Sequence, residues 1–302
     1  MSTTNPQALG PKMDEELNSQ PETWRRAIQM DEERKQLPEK GARIAVIGCG
    51  TSWFIAQAYA ALREAHGHGE ADAFTPTEFP KDRTYDAYLV ITRSGTTTEV
   101  LDFLRNLPEG ATSVAITGVP ESPVTELATR SVLLPFADEE SVVQTRFATT
   151  ALMFLRAGIE SKDVCLAAAD QAEKALAAAP EDELVNAEQY SFLGRGWTLG
   201  LATEAGLKMR ESCQAWTESY SAMEYRHGPI AIAAPGRVTW IFGEAPEGLT
   251  EQVKSTGAHF ENSELDPMAD LARLHAVALA TARARELNPD NPRNLTRSVI
   301  LK

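Results

Sequence analysis

The chain has 302 residues, 43% of them hydrophobic and 24% charged, which suits one large or two ordinary globular domains. Its net charge of −14 argues against nucleic acid and anionic membrane surfaces as partners. No apolar run approaches the roughly 20 residues that span a bilayer, and the polar, acidic N-terminus does not resemble a signal or transit peptide. The three cysteines are widely spaced and indicate neither disulfides nor a zinc site, so we expect a cytoplasmic protein without metal.

The predicted elements begin after a polar segment of about 20 residues, which is expected to be disordered. A helical pattern follows over residues 20–40, with Trp24 and Ile28 among its few apolar anchors. We therefore assign residues 1–40 to an N-terminal tail and helix.

From residue 43 the chain alternates short apolar strands with helical segments. Residues 44–47 and 87–91 are typical of buried strands, each followed by a helix, and further elements are predicted at 113–117, 124–128, 131–134 and 141–158. This alternation predicts an α/β fold with a mainly parallel sheet flanked by helices.

The loop after the second of these strands is rich in hydroxyl groups. It reads Thr92-Arg93-Ser94-Gly95-Thr96-Thr97 and leads into an amphipathic helix. A helix N-terminus attracts anions, the hydroxyls add donors, and an arginine suits phosphate. Capping the helix through Thr96 or Thr97 would use only one of these hydroxyls. The loop therefore predicts a phosphate site.

After an Ala-rich helix at 163–180 and a linker, the pattern restarts. Residues 190–196 repeat the strand and Gly-x-Gly turn of residues 45–50, and residues 238–242 repeat the strand at 88–92. We predict a first domain at 41–162, a connecting helix and linker at 163–187, and a second domain at 188–302. Glu244 and Glu247 replace the hydroxyls in the second loop, which would repel phosphate.

The second half carries a different set of polar residues. Glu204, Lys208 and Glu211 share one helix face, and His227 precedes a Gly-Pro break. A carboxylate, an ammonium and an imidazole together could handle protons. The same spacing also describes a solvent-exposed helix with an ion pair and a histidine in a loop, which is the more common arrangement.

Six motifs in register give a resemblance to a known family. The chain resembles proteins with two tandem sugar isomerase (SIS) domains, in particular the isomerase half of glutamine–fructose-6-phosphate aminotransferase and the amino-sugar-phosphate deaminases and isomerases. The resemblance covers residues 40–302 and implies two flavodoxin-like three-layer domains. The motifs are Gly48-Cys49-Gly50-Thr51-Ser52, Thr92-Arg93-Ser94-Gly95-Thr96-Thr97, Glu140-Ser141-Val142, Lys208-Met209-Arg210-Glu211, Arg226-His227-Gly228-Pro229 and Pro292-Arg293-Asn294-Leu295-Thr296-Arg297-Ser298-Val299.

The resemblance also implies roles for individual residues. Glu211 falls at the position that shuttles a proton between C1 and C2, Lys208 at that of a lysine supporting the intermediate, and His227 at that of a ring-opening histidine from the neighbouring subunit of a homodimer. Arg297 replaces a lysine near the substrate carbonyl. Phosphate-binding positions are Ser52, Thr92, Arg93, Ser94 and Thr97, and sugar-binding positions are Gly50, Thr51 and Val142.

Two departures bear on the reaction. Arg226 replaces a lysine common beside the histidine, and Arg297 cannot form an imine because its pKa stays above about 12. The chain also begins Met1-Ser2-Thr3 instead of the N-terminal cysteine that a glutaminase domain needs.

Together these features predict a phosphosugar isomerase or deaminase that acts on an amino-sugar 6-phosphate and releases or uses ammonia. No cofactor is expected. A fructosamine-6-phosphate deglycase and a non-catalytic sugar-phosphate-binding regulator remain as alternatives. Retention of Glu211, Lys208 and His227 argues against the regulator, since binding alone does not need them.

Overall fold

The computed structural model describes residues 9–301, which form two compact units with one sheet each. The five-stranded unit consists of Glu22–Glu139, Arg146–Ala167 and the segment from Thr296 onwards. The four-stranded unit consists of the described residues up to Pro21, Glu140–Thr145 and Ala168–Leu295. Unlike the predicted domains, these units are not continuous in sequence.

Strands and helices alternate along most of the chain. The strands are β1 (Ile44–Ile47), β2 (Ala71–Phe74), β3 (Ala87–Ile91), β4 (Ser113–Thr117), β5 (Arg130–Leu133), β6 (Gln189–Gly194), β7 (Trp216–Ser221), β8 (Arg237–Ile241) and β9 (His259–Asn262). The helices are α1 (Pro11–Asn18), α2 (Gln20–Ile28), α3 (Asp31–Arg34), α4 (Thr51–Ala65), α5 (Thr98–Arg105), α6 (Pro123–Leu127), α7 (Arg146–Arg156), α8 (Lys162–Leu176), α9 (Asp182–Val185), α10 (Thr198–Cys213), α11 (Leu249–Ser255) and α12 (Pro267–Ala284). None of the helices within residues 9–301 is long and apolar enough to cross a membrane.

The five-stranded sheet has the order β2-β1-β3-β4-β5, with every pairing parallel. All residues of β1, β3 and β4 are buried, as expected for central strands covered on both faces by helices. This burial explains why the three strands read as continuous apolar runs. The predicted α/β fold with a parallel sheet flanked by helices is confirmed.

The four-stranded sheet repeats this topology. Its order is β7-β6-β8-β9, again with parallel pairings. Numbered from its own first strand, the order 2-1-3-4 matches the first four places of the other sheet, which has the 2-1-3-4-5 order of flavodoxin-like folds. The second unit therefore has the same strand order without the fifth strand.

The Gly-x-Gly turn is also repeated in detail. A Cβ atom on Gly48 would lie 2.5 Å from the main chain of Ser52, and one on Gly194 would lie 2.3 Å from that of Thr198. The second glycines, Gly50 and Gly196, have φ values of 54° and 52°, in the region that favours glycine. In both units the first glycine lets the strand end pack against the helix it enters, and the second allows the turn.

Two predictions about local structure were wrong. Part of the supposedly disordered N-terminus is helix α1, where Met13 and Leu17, one turn apart, are buried. Two apolar residues were too few for the composition to indicate a packed helix. Residues 1–8 lie outside the described part of the chain. The helix predicted over 141–158 begins only at Arg146, since Glu139 accepts a hydrogen bond from the Arg146 backbone N–H at 2.7 Å.

Candidate functional site

The hydroxyl-rich loop lies at the carboxyl edge of the five-stranded sheet. β1 and β3 are neighbours, with Ile47 opposite Val90, so the turn after β1 and the loop after β3 leave the sheet side by side. In this strand order the connections diverge between β1 and β3, which creates a crevice where ligands commonly bind. The predicted sugar and phosphate positions on these two segments are Gly50, Thr51, Ser52, Thr92, Ser94 and Thr97.

The loop, residues 92–97, is held in a tight conformation. Gly95 has a φ of 65°, and a Cβ atom there would lie 2.1 Å from Ser122 Oγ. Thr96 Oγ1 donates to Ser94 Oγ at 3.0 Å. Thr97 is the N-cap residue of α5, but its side chain makes no capping hydrogen bond. Helix capping therefore does not use the Thr97 hydroxyl.

The C-terminal segment lies along this loop within the same unit. Thr96 Oγ1 lies 2.9 Å and Thr97 Oγ1 3.4 Å from Ser298 Oγ, both within hydrogen-bonding distance. Beyond the loop, the first backbone N–H of α5 donates to the Val299 carbonyl at 3.1 Å. Ser298 thus occupies hydrogen-bonding positions that a ligand oxygen could also use.

The two predicted arginines of this unit secure the C-terminal segment. The Arg93 side chain is 1% exposed, lies 3.8 Å from the buried Glu139 carboxylate and donates to the Arg297 carbonyl at 2.9 Å. The Arg297 guanidinium pairs with Asp138 and donates to the Glu139 carbonyl at 3.0 Å. Arg93, predicted to bind phosphate, and Arg297, predicted to lie near the substrate carbonyl, therefore both have protein partners, and Arg93 is not presented to solvent.

Cys49, between the two glycines of the first turn, is not activated. Burial raises the pKa of its thiol to about 12, with the charge of Glu99 acting in the same direction. The thiol stays protonated at neutral pH, as is typical of a packed cysteine and not of a nucleophile.

The polar face of α10 is buried, not solvent-exposed as its spacing suggested. Glu204 and Lys208 side chains are 0% exposed and Glu211 is 20% exposed. Lys208 Nζ lies 3.4 Å from Glu204 Oε1 and 3.1 Å from Glu211 Oε2. The interpretation as a surface ion pair was therefore wrong, because α12 packs along this helix and covers it.

A fourth residue completes this group, which we call the α10 ion cluster: Glu204, Lys208, Glu211 and His275. His275, on α12, is 0% exposed, and its Nε2 lies 3.3 Å from Glu204 Oε2. Burial acts to raise the pKa of Glu204, but the Lys208 ammonium and the hydrogen bond from His275 outweigh it and the pKa is lowered. Glu204 is thus held as a carboxylate in the core.

Glu211 connects the cluster to solvent. It lines a cavity of about 390 Å³ together with Leu207, Arg210, Gln214, Ala215, Arg293 and Leu295. A partly exposed carboxylate, backed by a buried ammonium and facing a cavity, can accept a proton from a bound molecule.

His227 does not join this cluster within one chain. It lies exposed in a short turn, Glu224–His227, beyond the carboxyl end of β7. Because β6 and β7 are parallel, the α10 helix that connects them runs back toward the amino edge of the sheet. Glu211 is 13 residues along it, about 20 Å from its start. The structure therefore places Glu211 and His227 at opposite ends of the four-stranded sheet.

Val142 lies in the segment Glu140–Thr145 of the four-stranded unit. Its backbone N–H donates to the Asp290 carbonyl at 3.4 Å. The buried Glu16 carboxylate of α1 binds the adjacent Ser141 through its backbone N–H and hydroxyl. Helix α1, which the sequence did not predict, thus fixes this motif.

The carboxyl edge of the four-stranded sheet is acidic. Its cavity of about 530 Å³ is lined by Glu244, Glu247, Glu251 and Glu264, among others. The Thr198 hydroxyl, at the place of Ser52 in the repeat, is used within its own unit, donating to the Phe242 carbonyl at 2.9 Å. Among residues 9–301 no group of three or more His, Cys, Asp or Glu side chains is placed to hold a metal ion.

The sequence did not identify Glu139, Ser298 and His275 as members of these two groups. Ser298 is 202 residues from Thr96, and His275 is 71 residues from Glu204. Only for His275 was there a local signal, namely a titratable residue within the apolar pattern of α12.

Comparison with known proteins gives consistent results. No protein-family model matches the chain. The glutamine–fructose-6-phosphate aminotransferase (isomerizing) of Sulfolobus acidocaldarius is 25% identical over 300 residues, which cover 87% of this chain and 51% of the relative. The chain thus spans about half the length of the curated relatives it matches.

Solved structures share the fold. The glucosamine-6-phosphate deaminase of Thermotoga maritima superposes with a TM-score of 0.81 at 23% identity, covering 96% of this chain and 100% of that one. The tagatose-6-phosphate ketose/aldose isomerase of Escherichia coli gives a TM-score of 0.77 at 17% identity, covering 100% and 98%. The chain thus has the fold of these phosphosugar enzymes.

Proposed function

We propose that this chain is a phosphosugar isomerase that acts on an amino-sugar 6-phosphate and releases ammonia. The observation that carries the proposal concerns Glu211. Its carboxylate lines a cavity of about 390 Å³, and its Oε2 lies 3.1 Å from Nζ of the buried Lys208. The relatives support a phosphosugar substrate, since the named proteins act on sugar phosphates.

The proposed chemistry starts from the open-chain 2-amino aldose 6-phosphate. Glu211 takes the proton from C2, the electron pair of that bond forms the C1–C2 double bond, and the carbonyl oxygen takes a proton from water to give an enaminol. Glu211 then returns its proton to C1, which yields the C2 imine of the ketose. Water adds to the imine carbon, and the C–N bond breaks to give the ketose 6-phosphate and ammonia.

Lys208 acts through Glu211 in this scheme. Its ammonium is fully buried between two carboxylates, so it sets the position of Glu211 instead of contacting the substrate.

The phosphate is assigned to the hydroxyl loop. Ser94, Thr96 and Thr97 already bind one another or the Ser298 hydroxyl, and phosphate oxygens would take the place of that hydroxyl. Ser52, Thr92 and the backbone N–H groups at the starts of α4 and α5 would complete the set. Arg93 contributes by holding Glu139 and the C-terminal segment, while Gly50, Thr51 and Val142 stay assigned to the sugar.

His227 is proposed to open the sugar ring from a second copy of the chain. Glu211 and His227 lie at opposite ends of one sheet, so one chain does not supply both residues to one site. A two-fold homodimer would supply His227 from its partner.

Mixing two inactive variants tests this arrangement. Glu211→Gln and His227→Ala would each be inactive alone, but random exchange makes about half of the dimers mixed, each with one intact site. We expect about a quarter of wild-type activity to return. Absence of recovery despite demonstrated subunit exchange, or a monomer at micromolar concentration, would contradict the shared site.

The experiment that tests the function is a substrate panel. Glucosamine, galactosamine and fructosamine 6-phosphates are incubated with the protein, and ammonia and ketose 6-phosphate are measured. We expect equimolar release of both from a hexosamine 6-phosphate and none from the unphosphorylated sugar. Turnover of fructosamine 6-phosphates alone would indicate the deglycase, and binding without turnover would indicate a regulator.

A further inference from the structure

We infer that His275 is a positioning residue for Glu211, acting through Glu204 and Lys208 as a neutral imidazole that donates from Nε2. The expected effect on turnover rests on the proposed function. The tautomer of His275 rests on geometry alone. His275 belongs to α12 and lies outside the cavity that Glu211 lines.

The contacts of the α10 ion cluster run in one line. His275 Nε2 is 3.3 Å from Glu204 Oε2, and the other oxygen of Glu204 is 3.4 Å from Lys208 Nζ. Lys208 Nζ is in turn 3.1 Å from Glu211 Oε2. His275 thus engages one oxygen of Glu204 and leaves the other for Lys208.

The surroundings of His275 select its neutral form. Its Nδ1 is buried and has no hydrogen-bond partner among the described residues. An imidazolium would bury a charged N–H donor without an acceptor there, whereas the neutral Nε2–H tautomer leaves only a lone pair unsatisfied. With His275 neutral, the fully buried charges of Glu204 and Lys208 balance each other.

Three of the charged groups on α1 and α9, two helices that pack against α12, have partners of their own. On α1, Asp14 pairs with Arg283 and Glu16 binds Ser141. On α9, Glu183 pairs with His259.

On α12 itself, Asp270 pairs with Arg273, which also contacts Glu261. From α10, Glu204 contacts the imidazole directly, and Lys208 contacts Glu204. Glu204 is therefore the charged group that contacts the His275 imidazole directly.

Loss of this hydrogen bond would release Glu204. Its carboxylate could then turn both oxygens toward Lys208 and draw the ammonium away from Glu211. Proton transfer by Glu211 would slow, while contacts to the phosphate and sugar would be unchanged. Some residues do not contact the substrate but orient a residue that does. Their loss is expected to lower activity about 10-fold or more, as is found for residues that hydrogen-bond to metal ligands.

The kinetic test compares three variants. We expect His275→Leu to lower kcat about 10-fold with an unchanged KM, and His275→Gln, which keeps an N–H donor, to stay within about 3-fold of wild type. His66→Leu, at an exposed position of the other unit, is the control and should match wild type. Wild-type kcat in His275→Leu, or equal losses in the Leu and Gln variants, would overturn the inference.

A second measurement does not depend on turnover. Nitrogen NMR of histidine-labelled protein at pH 7, with the signal assigned by its loss in His275→Gln, should show the neutral Nε2–H tautomer. Glu204→Gln should shift this signal. An imidazolium, or a signal indifferent to Glu204→Gln, would overturn the inference. Absence of turnover in the wild type would contradict the proposed function. The NMR measurement would still test the tautomer of His275 and its contact with Glu204.

Discussion

The carboxyl edges of the two sheets share a backbone and differ in chemistry. Both have the 2-1-3-4 strand order, and both have a Gly-x-Gly turn in which the first glycine packs against the next helix and the second has a φ near +53°. One edge carries hydroxyls and the start of α5, whereas the other carries Glu244 and Glu247. The same backbone arrangement thus occurs twice, and the side chains of the loop determine which copy can bind an anion.

The four-stranded unit has its candidate chemistry elsewhere. The α10 ion cluster is built on the helix that follows the repeated turn, with Glu211 near its far end. The equivalent helix α4 presents mainly apolar residues to the core, among them Ile55, Tyr59 and Leu62. The same element therefore serves packing in one unit and charge placement in the other, and four changes would test this division.

The largest expected effect is the loss of the buried ammonium. Lys208→Met would leave the Glu204 carboxylate in the core without its cation, which we expect to cost about 3–5 kcal/mol of unfolding free energy. Urea denaturation at pH 7 measures it, with the exposed Lys254→Met of α11 as the control. The double variant Lys208→Met with Glu204→Gln should recover part of the loss. A Lys208→Met protein as stable as wild type would contradict a charged, buried cluster.

The second largest effect is expected for substitution of Gly95, which follows β3, and Gly243, which follows β8. Both substitutions should lower the free energy of unfolding. Gly95→Ala meets both a positive φ and Ser122 Oγ at 2.1 Å, which together should cost about 2–4 kcal/mol. Gly243→Ala has a φ of 87° but no atom nearer than 3.8 Å, so we expect only about 1–2 kcal/mol. Thermal unfolding compares the two variants. Equal losses would show that the hydroxyl loop is no more tightly built than its acidic counterpart.

The hydroxyl loop should also determine affinity. Thr97→Val removes a hydroxyl from the proposed phosphate site, and a hydrogen bond to a charged group contributes about 1.5–3 kcal/mol, or roughly 10- to 150-fold in affinity. Titration calorimetry with a hexosamine 6-phosphate measures this loss. Thr250→Val, in the acidic cavity of the four-stranded unit, is the matched control. If both variants bind as wild type does, the phosphate lies elsewhere.

The two edges also show what the sequence could predict. The central strands were found because residues covered on both faces must be apolar, and the hydroxyl loop because four hydroxyls exceed what a helix cap needs. The burial of Lys208 was not found, since Glu and Lys at i and i+4 look the same on a surface and in a core. That distinction depends on α12, whose His275 is distant in sequence.

The C-terminal segment shows the same limit. Its motif was recognised, but its contacts with Thr96 and Thr97 and the pairing of Arg93 with Glu139 depend on tertiary structure. Arg93 resembles a phosphate ligand in sequence because its neighbours are hydroxyls. Its burial and its carboxylate partner could be identified only from the folded chain.

The central claim is that Glu211 moves the proton between C1 and C2, and deuterium exchange tests it most directly. In heavy water the wild type should introduce solvent deuterium at C1 or C2 of a hexosamine 6-phosphate, detectable by NMR. Glu211→Gln should bind the sugar phosphate normally but exchange and turn over about two to four orders of magnitude more slowly, while Glu251→Gln in the acidic cavity should match wild type. Exchange at the wild-type rate in Glu211→Gln would contradict the account.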